Sequence, residues 1–191
     1  MRLESTAAPT RALVDKPYLF FSTPQGDEEY LCIPEVSSQR RKYIPIGFMD
    51  GSIIASNKLL IVPGATKYHF GVLTSNVHMA WTRTVCGRLK SDYQYSGANV
   101  YNTFPWPTPT EAQRAKIEQT AQGILDARAL YPDCSLADLY DEATMPPELR
   151  TAHQKNDRAV MEAYGFWGKL NSESACVAEL MKLYQQLTAK A

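Results

Sequence analysis

The chain has 191 residues, 45% of them hydrophobic and 21% charged, and its 20 basic side chains balance its 20 acidic ones. That composition excludes a disordered tail, and the length allows one or two domains with a buried core. The charge is unevenly spread: up to Trp106 there are 11 Lys and Arg against 8 Asp and Glu, and from Pro107 onward 9 against 12. A polyanion therefore suits the first part better than the second. No signal peptide and no apolar run of membrane-spanning length is present, so a cytoplasmic protein is expected. The cysteines at 32, 86, 134 and 176 form no CxxC pair and read as buried free thiols in a reducing compartment. The histidines at 69, 78 and 153 show no zinc-ligand spacing.

In chain order, the polar start contains a short helical turn around Pro9 to Leu13 and ends in the apolar run PYLFF. Tyr30 to Val36 is a strand candidate, Ser37 to Lys42 a basic connector, and Tyr43 to Phe48 a return strand. The three read as a hairpin with a basic tip. Pro34 and Pro45 favour edge positions, because neither can donate to a ladder. Lys58 leads the buried-strand run Leu59 to Val62, which Pro63-Gly64 stops. From Tyr68 to Arg88 apolar residues recur at helical spacing, with Thr74 or Ser75 as a cap and Gly87 as a stop. An alternating stretch, GRLKSDYQYS, follows at Gly87 to Ser96. Prolines at 105, 107 and 109 mark a boundary, so domains of 1–106 and 107–191 are expected.

The second part is helical. Thr110 with Gln113 makes a capping box, and Ser135 caps a short helix. Pro146-Pro147 opens a long helix that Gly165 closes, and Asn171 or Ser172 caps the last one. The fold class is α+β: a small mixed or antiparallel sheet domain followed by an α-helical bundle.

Catalytic patterns are poor. No phosphate-binding glycine loop and no nucleophile with its base stands out. Asn102 to Pro107 only faintly echoes the Asn-Pro-Pro-aromatic loop of amino-methylating enzymes, because its prolines are not adjacent. No catalytic, cofactor-binding or metal-ligating residue is assigned. The alternating stretch carries more chemistry. In an extended chain Lys90, Asp92 and Gln94 share one face. Lys donates to guanine O6 and N7, Asp accepts from cytosine N4, and Gln pairs with adenine N6 and N7 in the major groove of double-stranded DNA. A self-compensating Lys–Asp pair on a surface strand is the alternative. Arg40, Arg41, Lys42, Arg83 and Arg88 are candidates for holding phosphates, and Lys58 is a further base-reading candidate.

The run from His78 to Tyr93, continued by Val100 to Pro107, resembles the C-terminal part of the MmeI-like DNA methyltransferases. Ile33-Pro34 through Arg40-Arg41 to Phe48, and Tyr68 to Ser75, are similar to that family's target-recognition domain. Leu136 to Asp141 and Met145 to Arg150 are similar to the helical segment that follows it. The resemblance implies a parent enzyme that methylates an adenine amino group with S-adenosylmethionine, and in some members also cleaves DNA. It implies an upstream methyltransferase domain as partner, because the family's cofactor glycines and catalytic loop have no counterpart here. It also implies that the stretch matching Lys90 to Gln94, and the region of Lys58, choose target bases. One departure is Gln94, where the family often has Arg. The competing reading is a structural module that braces the parent enzyme without reading bases.

Overall fold

The computed structural model describes residues 2–16, 18 and 26–189, so most of the PYLFF run lies outside it. The first helix, α1, is a single turn at Ala8–Arg11 with Pro9 at its start, where a missing N–H costs nothing. Six strands follow: β1 at Tyr30–Pro34, β2 at Val36–Ser37, β3 at Gly47–Met49, β4 at Leu59–Pro63, β5 at Gly87–Leu89 and β6 at Asp92–Gln94. They form two three-stranded sheets, in the orders β3-β1-β4 and β2-β6-β5. Every pairing is antiparallel.

The two sheets share one chain path. β1 and β2 are separated only by a bend at Glu35. Its N–H donates to the Lys58 carbonyl at 3.0 Å, and its carbonyl accepts from Tyr95 N–H at 2.7 Å. Glu35 is thus the seam where the first sheet hands over to the second. Pro34 lies on the central strand of its sheet, contrary to a simple edge placement. It pairs only with Leu59, because β3 reaches no further than Cys32, so no ladder bond is lost. The return strand is shorter than expected. Tyr43, Ile44 and Ile46 are buried without pairing, and Pro45 lies outside any strand.

The helical run after β4 is two helices, α2 at Lys67–Leu73 and α3 at Asn76–Val85. The break has a local cause. Thr74 Oγ1 donates to the Phe70 carbonyl at 2.7 Å, and Ser75 Oγ donates to the Val72 carbonyl at 2.7 Å while accepting from His78 N–H. Both hydroxyls compete for the bonds that would continue the helix. After β6 comes one π-helical turn, Gly97–Tyr101, then the proline segment.

The remaining helices are α4 at Glu111–Ala129, α5 at Leu136–Leu139, α6 at Pro147–Ala163 and α7 at Glu173–Thr188. Their ends follow the sequence signals. Thr110 and Gln113 form the reciprocal capping box, Ser135 and Ser172 cap α5 and α7, and Gly165 takes a positive φ of 70° after α6.

One core runs through both parts of the chain. It includes Leu31, Phe70 and Trp81 from the first part and Ile117, Ile124, Leu149, Val160 and Leu180 from the second. α4 lies close to α2 because Gly71 has no side chain. A Cβ there would sit 2.7 Å from Ile117 Cγ2 and 3.2 Å from Ala121 Cβ. The helices, with α4 packed along α6, form a bundle whose core is continuous with that of the sheet domain. The proline joint is fastened the same way. Tyr164 donates to the Pro105 carbonyl at 2.8 Å and Tyr68 to the Pro107 carbonyl at 3.3 Å.

Buried polar groups tie the halves together. Asp157 on α6 accepts from the Tyr43 hydroxyl at 2.6 Å and from Asn76 N–H, at the start of α3, at 2.7 Å. Asn156 Nδ2 donates to the Gly71 carbonyl at 2.7 Å. His153 stacks on Tyr43 with ring centroids 4.1 Å apart, and its Nε2 lies 2.6 Å from the Tyr140 hydroxyl. Arg128 donates to that same hydroxyl at 2.9 Å, so Tyr140 passes its own proton toward a neutral His153. His78 Nε2 lies 2.9 Å from the Tyr95 hydroxyl. The four cysteines are free, and two of them depart from the buried expectation: Cys134 is exposed and Cys86 half-buried.

These groups set the acid response. Burial lowers His78 to about 3 and holds His153 well below its ordinary value, with the Arg128 charge adding to the effect. In the acid range up to about pH 6.5, the unfolded chain binds protons at both histidines that the folded chain refuses. Stability therefore rises with pH there. Burial raises Asp157 to about 6, so between about pH 4 and 6 the folded state holds one proton that the unfolded state releases, which opposes the trend. Two histidines outweigh one carboxyl. Urea titrations should show stability falling from pH 6.5 to pH 5 by about 1.4 kcal/mol per net proton and pH unit. Stability that stays level or rises on acidification would contradict the assignment of neutral buried histidines.

Candidate nucleic-acid interface

β5 and β6 form a tight hairpin whose register pairs Gly87 with Gln94, Arg88 with Tyr93 and Leu89 with Asp92. On its other side β6 pairs Val36 with Gln94 and Ser37 with Tyr93. Cross-strand partners share a face, so one face carries Ser37 and Tyr93 and the other Val36, Gln94, Leu89 and Asp92. Ser37 and Tyr93 are 1% and 5% exposed and point to the core. Gly87 through Ser91 are all exposed, so the turn end of the hairpin faces solvent.

Lys90 departs from the strict alternation. It is in the turn, not on a strand, with φ at 57°. Among the described residues it is the non-glycine residue with positive φ. A positive φ at the first of two turn residues matches a hairpin twist that glycine usually serves. A lysine held there costs about 1 kcal/mol of backbone strain. Its side chain leaves from the hairpin tip, beyond the row that Asp92 and Gln94 define.

Asp92 is half-buried, and its Oδ1 accepts from Gln39 N–H at 3.2 Å. One carboxylate oxygen is thereby anchored. Gln94 lies over Gly87, with its Oε1 3.5 Å from where a Cβ would stand. Lys58 lies at the seam of the two sheets, where its ammonium pairs with Glu35 at 3.2 Å and its side chain is 73% exposed. A pair this exposed contributes at most about 1 kcal/mol, so Lys58 is free to exchange Glu35 for another partner.

The basic residues divide into two groups. Arg40 and Lys42 are exposed on the loop after β2. Arg41 is half-buried, and its Nη2 is 3.5 Å from the Ala137 carbonyl. Arg83 and Arg88 are engaged internally. Arg83 pairs with Glu173 at 2.8 Å, in the first turn of α7, and donates to the Lys42 carbonyl at 3.2 Å. The Arg88 guanidinium lies 4.3 Å from the Tyr93 ring centroid and donates to the Ser91 carbonyl at 3.2 Å, bracing the hairpin from its core side.

Beside the hairpin lies a cavity of about 320 Å³ that brings Asp92, Gln39, Arg40 and Arg41 together with Asp141 and Glu142. The last two come from the connector between α5 and α6. Nothing in their local sequence marks them, since only packing of the helical part against the loop after β2 places them there. Among the described residues no group of histidines, cysteines and carboxylates could hold a metal ion, and no helix is long and apolar enough to cross a membrane.

The class this fold defines is an α+β module of two small antiparallel sheets whose core is completed by helices. Residues 1–108 match the family model described as MmeI, target recognition domain, and residues 109–191 match MmeI, C-terminal domain. The chain belongs to the MmeI target-recognition family. Its fold superposes on that of the type IIL restriction–modification enzyme MmeI, solved in complex with DNA, with a TM-score of 0.89 and 50% sequence identity over 98% of this chain. It is 38% identical over 189 residues to DNA methyltransferase A of Bacillus subtilis (strain 168). The chain spans 25% of that MmeI chain and 21% of that methyltransferase.

Proposed function

We propose that this chain reads DNA sequence for a methyltransferase of the restriction–modification type. The observation that carries the reading is the exposed β5–β6 turn at the end of the second sheet, with Lys90 at its tip and Asp92 and Gln94 on the sheet face away from Tyr93. Past Tyr93, where β2 stops pairing, the sheet narrows to two strands, a width the major groove admits, and there those three side chains have base-edge partners. Lys90 and Asp92 address the guanine and cytosine of one base pair, Gln94 an adenine, and Lys58 a base further along. Arg40, Arg41 and Lys42 hold phosphates and fix the register. Arg83 and Arg88, tied up by Glu173 and Tyr93, hold the hairpin's base in place rather than the DNA. The proposed split into 1–106 and 107–191 is functional, with the second part bracing the first.

The parent activity is part of the same proposal. The methyl donor is S-adenosylmethionine and the target an adenine amino group, both handled by a methyltransferase domain outside these residues. A cytoplasmic location goes with it, and a cleavage assay on the whole parent enzyme decides whether it also cuts DNA, as some members of the family do.

Phosphate neutralisation makes binding salt-dependent. For the 191-residue chain, the logarithm of the association constant should fall linearly with the logarithm of salt concentration. Arg40→Ala or Lys42→Ala should each reduce that slope by about 0.9 and leave the preferred sequence unchanged. A brace that reads no bases would show no preferred sequence in a selection from random duplexes. A changed preference in Arg40→Ala would mean that positioning and reading contacts were sorted wrongly.

A further inference from the structure

Leu89 ends β5 one residue before the hairpin tip and is 51% exposed. It belongs neither to the buried core nor to the partly buried residues packed against it. Its cross-strand partner is Asp92, so the two side chains stand on the same face. Lys90 follows it directly, and the residues on either side, from Gly87 to Ser91, are exposed as well. About half of this apolar side chain's surface stays in water, and it is not part of the core. It sits instead among the groups assigned to base edges, flanked by a cation at the tip and a half-anchored carboxylate across the ladder.

Major-groove chemistry offers one apolar feature, the C5-methyl group of thymine. Polar side chains cannot reward that methyl, whereas a leucine can cover it and remove both surfaces from water. Cytosine presents a hydrogen at the same place. We propose that Leu89 is a specificity-determining residue that packs on a pyrimidine C5-methyl group beside the base pair addressed by Lys90 and Asp92. The partner is thymine in unmodified DNA, and 5-methylcytosine offers the same methyl. Val36, 37% exposed, lies on the same face but on the far strand of the sheet, opposite Gln94, and is not needed for this contact.

The inference rests on the DNA-reading function proposed above, and the test separates the two. Preferred duplexes are selected from a random library with the 191-residue chain, and each thymine in them is replaced in turn by uracil, which lacks only the methyl. At one thymine the replacement should weaken wild-type binding about fourfold, the worth of one buried methyl group. A cytosine placed at that position should regain affinity when supplied as 5-methylcytosine. Leu89→Ala and Leu89→Asn should bind the thymine and uracil duplexes equally while keeping the wild-type salt slope, which reports that the phosphate contacts and the fold are intact. If no sequence is preferred at all, the base-reading function falls, and this contact with it. If a sequence is preferred but uracil is tolerated at every thymine, or the variants keep the wild-type discrimination, the leucine contact alone is overturned.

Discussion

Asp157→Ala is expected to destabilise the protein by about 3 kcal/mol in urea or thermal denaturation. The carboxylate is 7% exposed and satisfies two donors from the recognition half, the Tyr43 hydroxyl and Asn76 N–H. Truncation leaves the buried Tyr43 hydroxyl and the part-buried Asn76 N–H without this partner, and each orphaned group costs about 1–3 kcal/mol when water cannot reach it. Stability of a domain this size is only about 5–15 kcal/mol, so the loss is a large share of it. Asp157→Asn keeps one acceptor at the same place and should lose about 1 kcal/mol. It should also abolish the opposing trend between pH 4 and 6, because the titrating group is gone. The alanine variant should weaken DNA binding as well, although Asp157 is far along the chain from the hairpin. Tyr43 anchors the loop that carries Arg40, Arg41 and Lys42. A loss under about 0.5 kcal/mol for Asp157→Ala would show that the two halves are held by apolar packing alone.

Exchanging Lys90 and Asp92 together, as Lys90→Glu with Asp92→Arg, should move the preferred base at one pair and leave the others unchanged. A wrong contact at one pair costs about 1–3 kcal/mol, enough to show in a selection from random duplexes or in methylation-site sequencing of a whole enzyme. The geometry sharpens the design. Asp92 spends one oxygen on Gln39 N–H, which leaves the other for a cytosine amino group. Asp92→Asn keeps the anchor and turns a donor outward, so it should disfavour cytosine without loosening the hairpin. Lys90→Gly removes the side chain while suiting the positive φ, so a specificity change there reports the ammonium and not a broken turn. An unchanged motif in the double exchange would end the claim that these two residues read a base pair.

Much of the fold is legible in the sequence because its signals are local. The caps at Thr110, Ser135 and Ser172 and the stop at Gly165 depend on side chains bonding to backbone a few residues away. The split between α2 and α3 was only half visible. Thr74 and Ser75 were readable as caps, but that the apolar spacing across them belongs to two helices emerged only from where their hydroxyls bond. The site was legible as residue types: the alternation of the hairpin picks out Asp92 and Gln94 against Tyr93 and Tyr95. It misplaced Lys90, because alternation assumes an unbroken strand and the turn interrupts it at that residue.

What the sequence by itself determined is where most of the helices start and stop, the α+β class and which side-chain types the hairpin carries, since periodicity, capping and side-chain type are properties of short stretches. Tertiary structure alone decided the rest. Arg83 and Arg88 look like free cations in the chain, and only packing brings Glu173 and the Tyr93 ring to them. Lys58 and Tyr95 lie far apart in sequence and come to the seam of the two sheets because Glu35 bonds to both. The helices join that sheet's core because Gly71 admits α4 and Asp157 receives Tyr43 and Asn76. Each of these is a contact between distant segments, which a local pattern cannot encode.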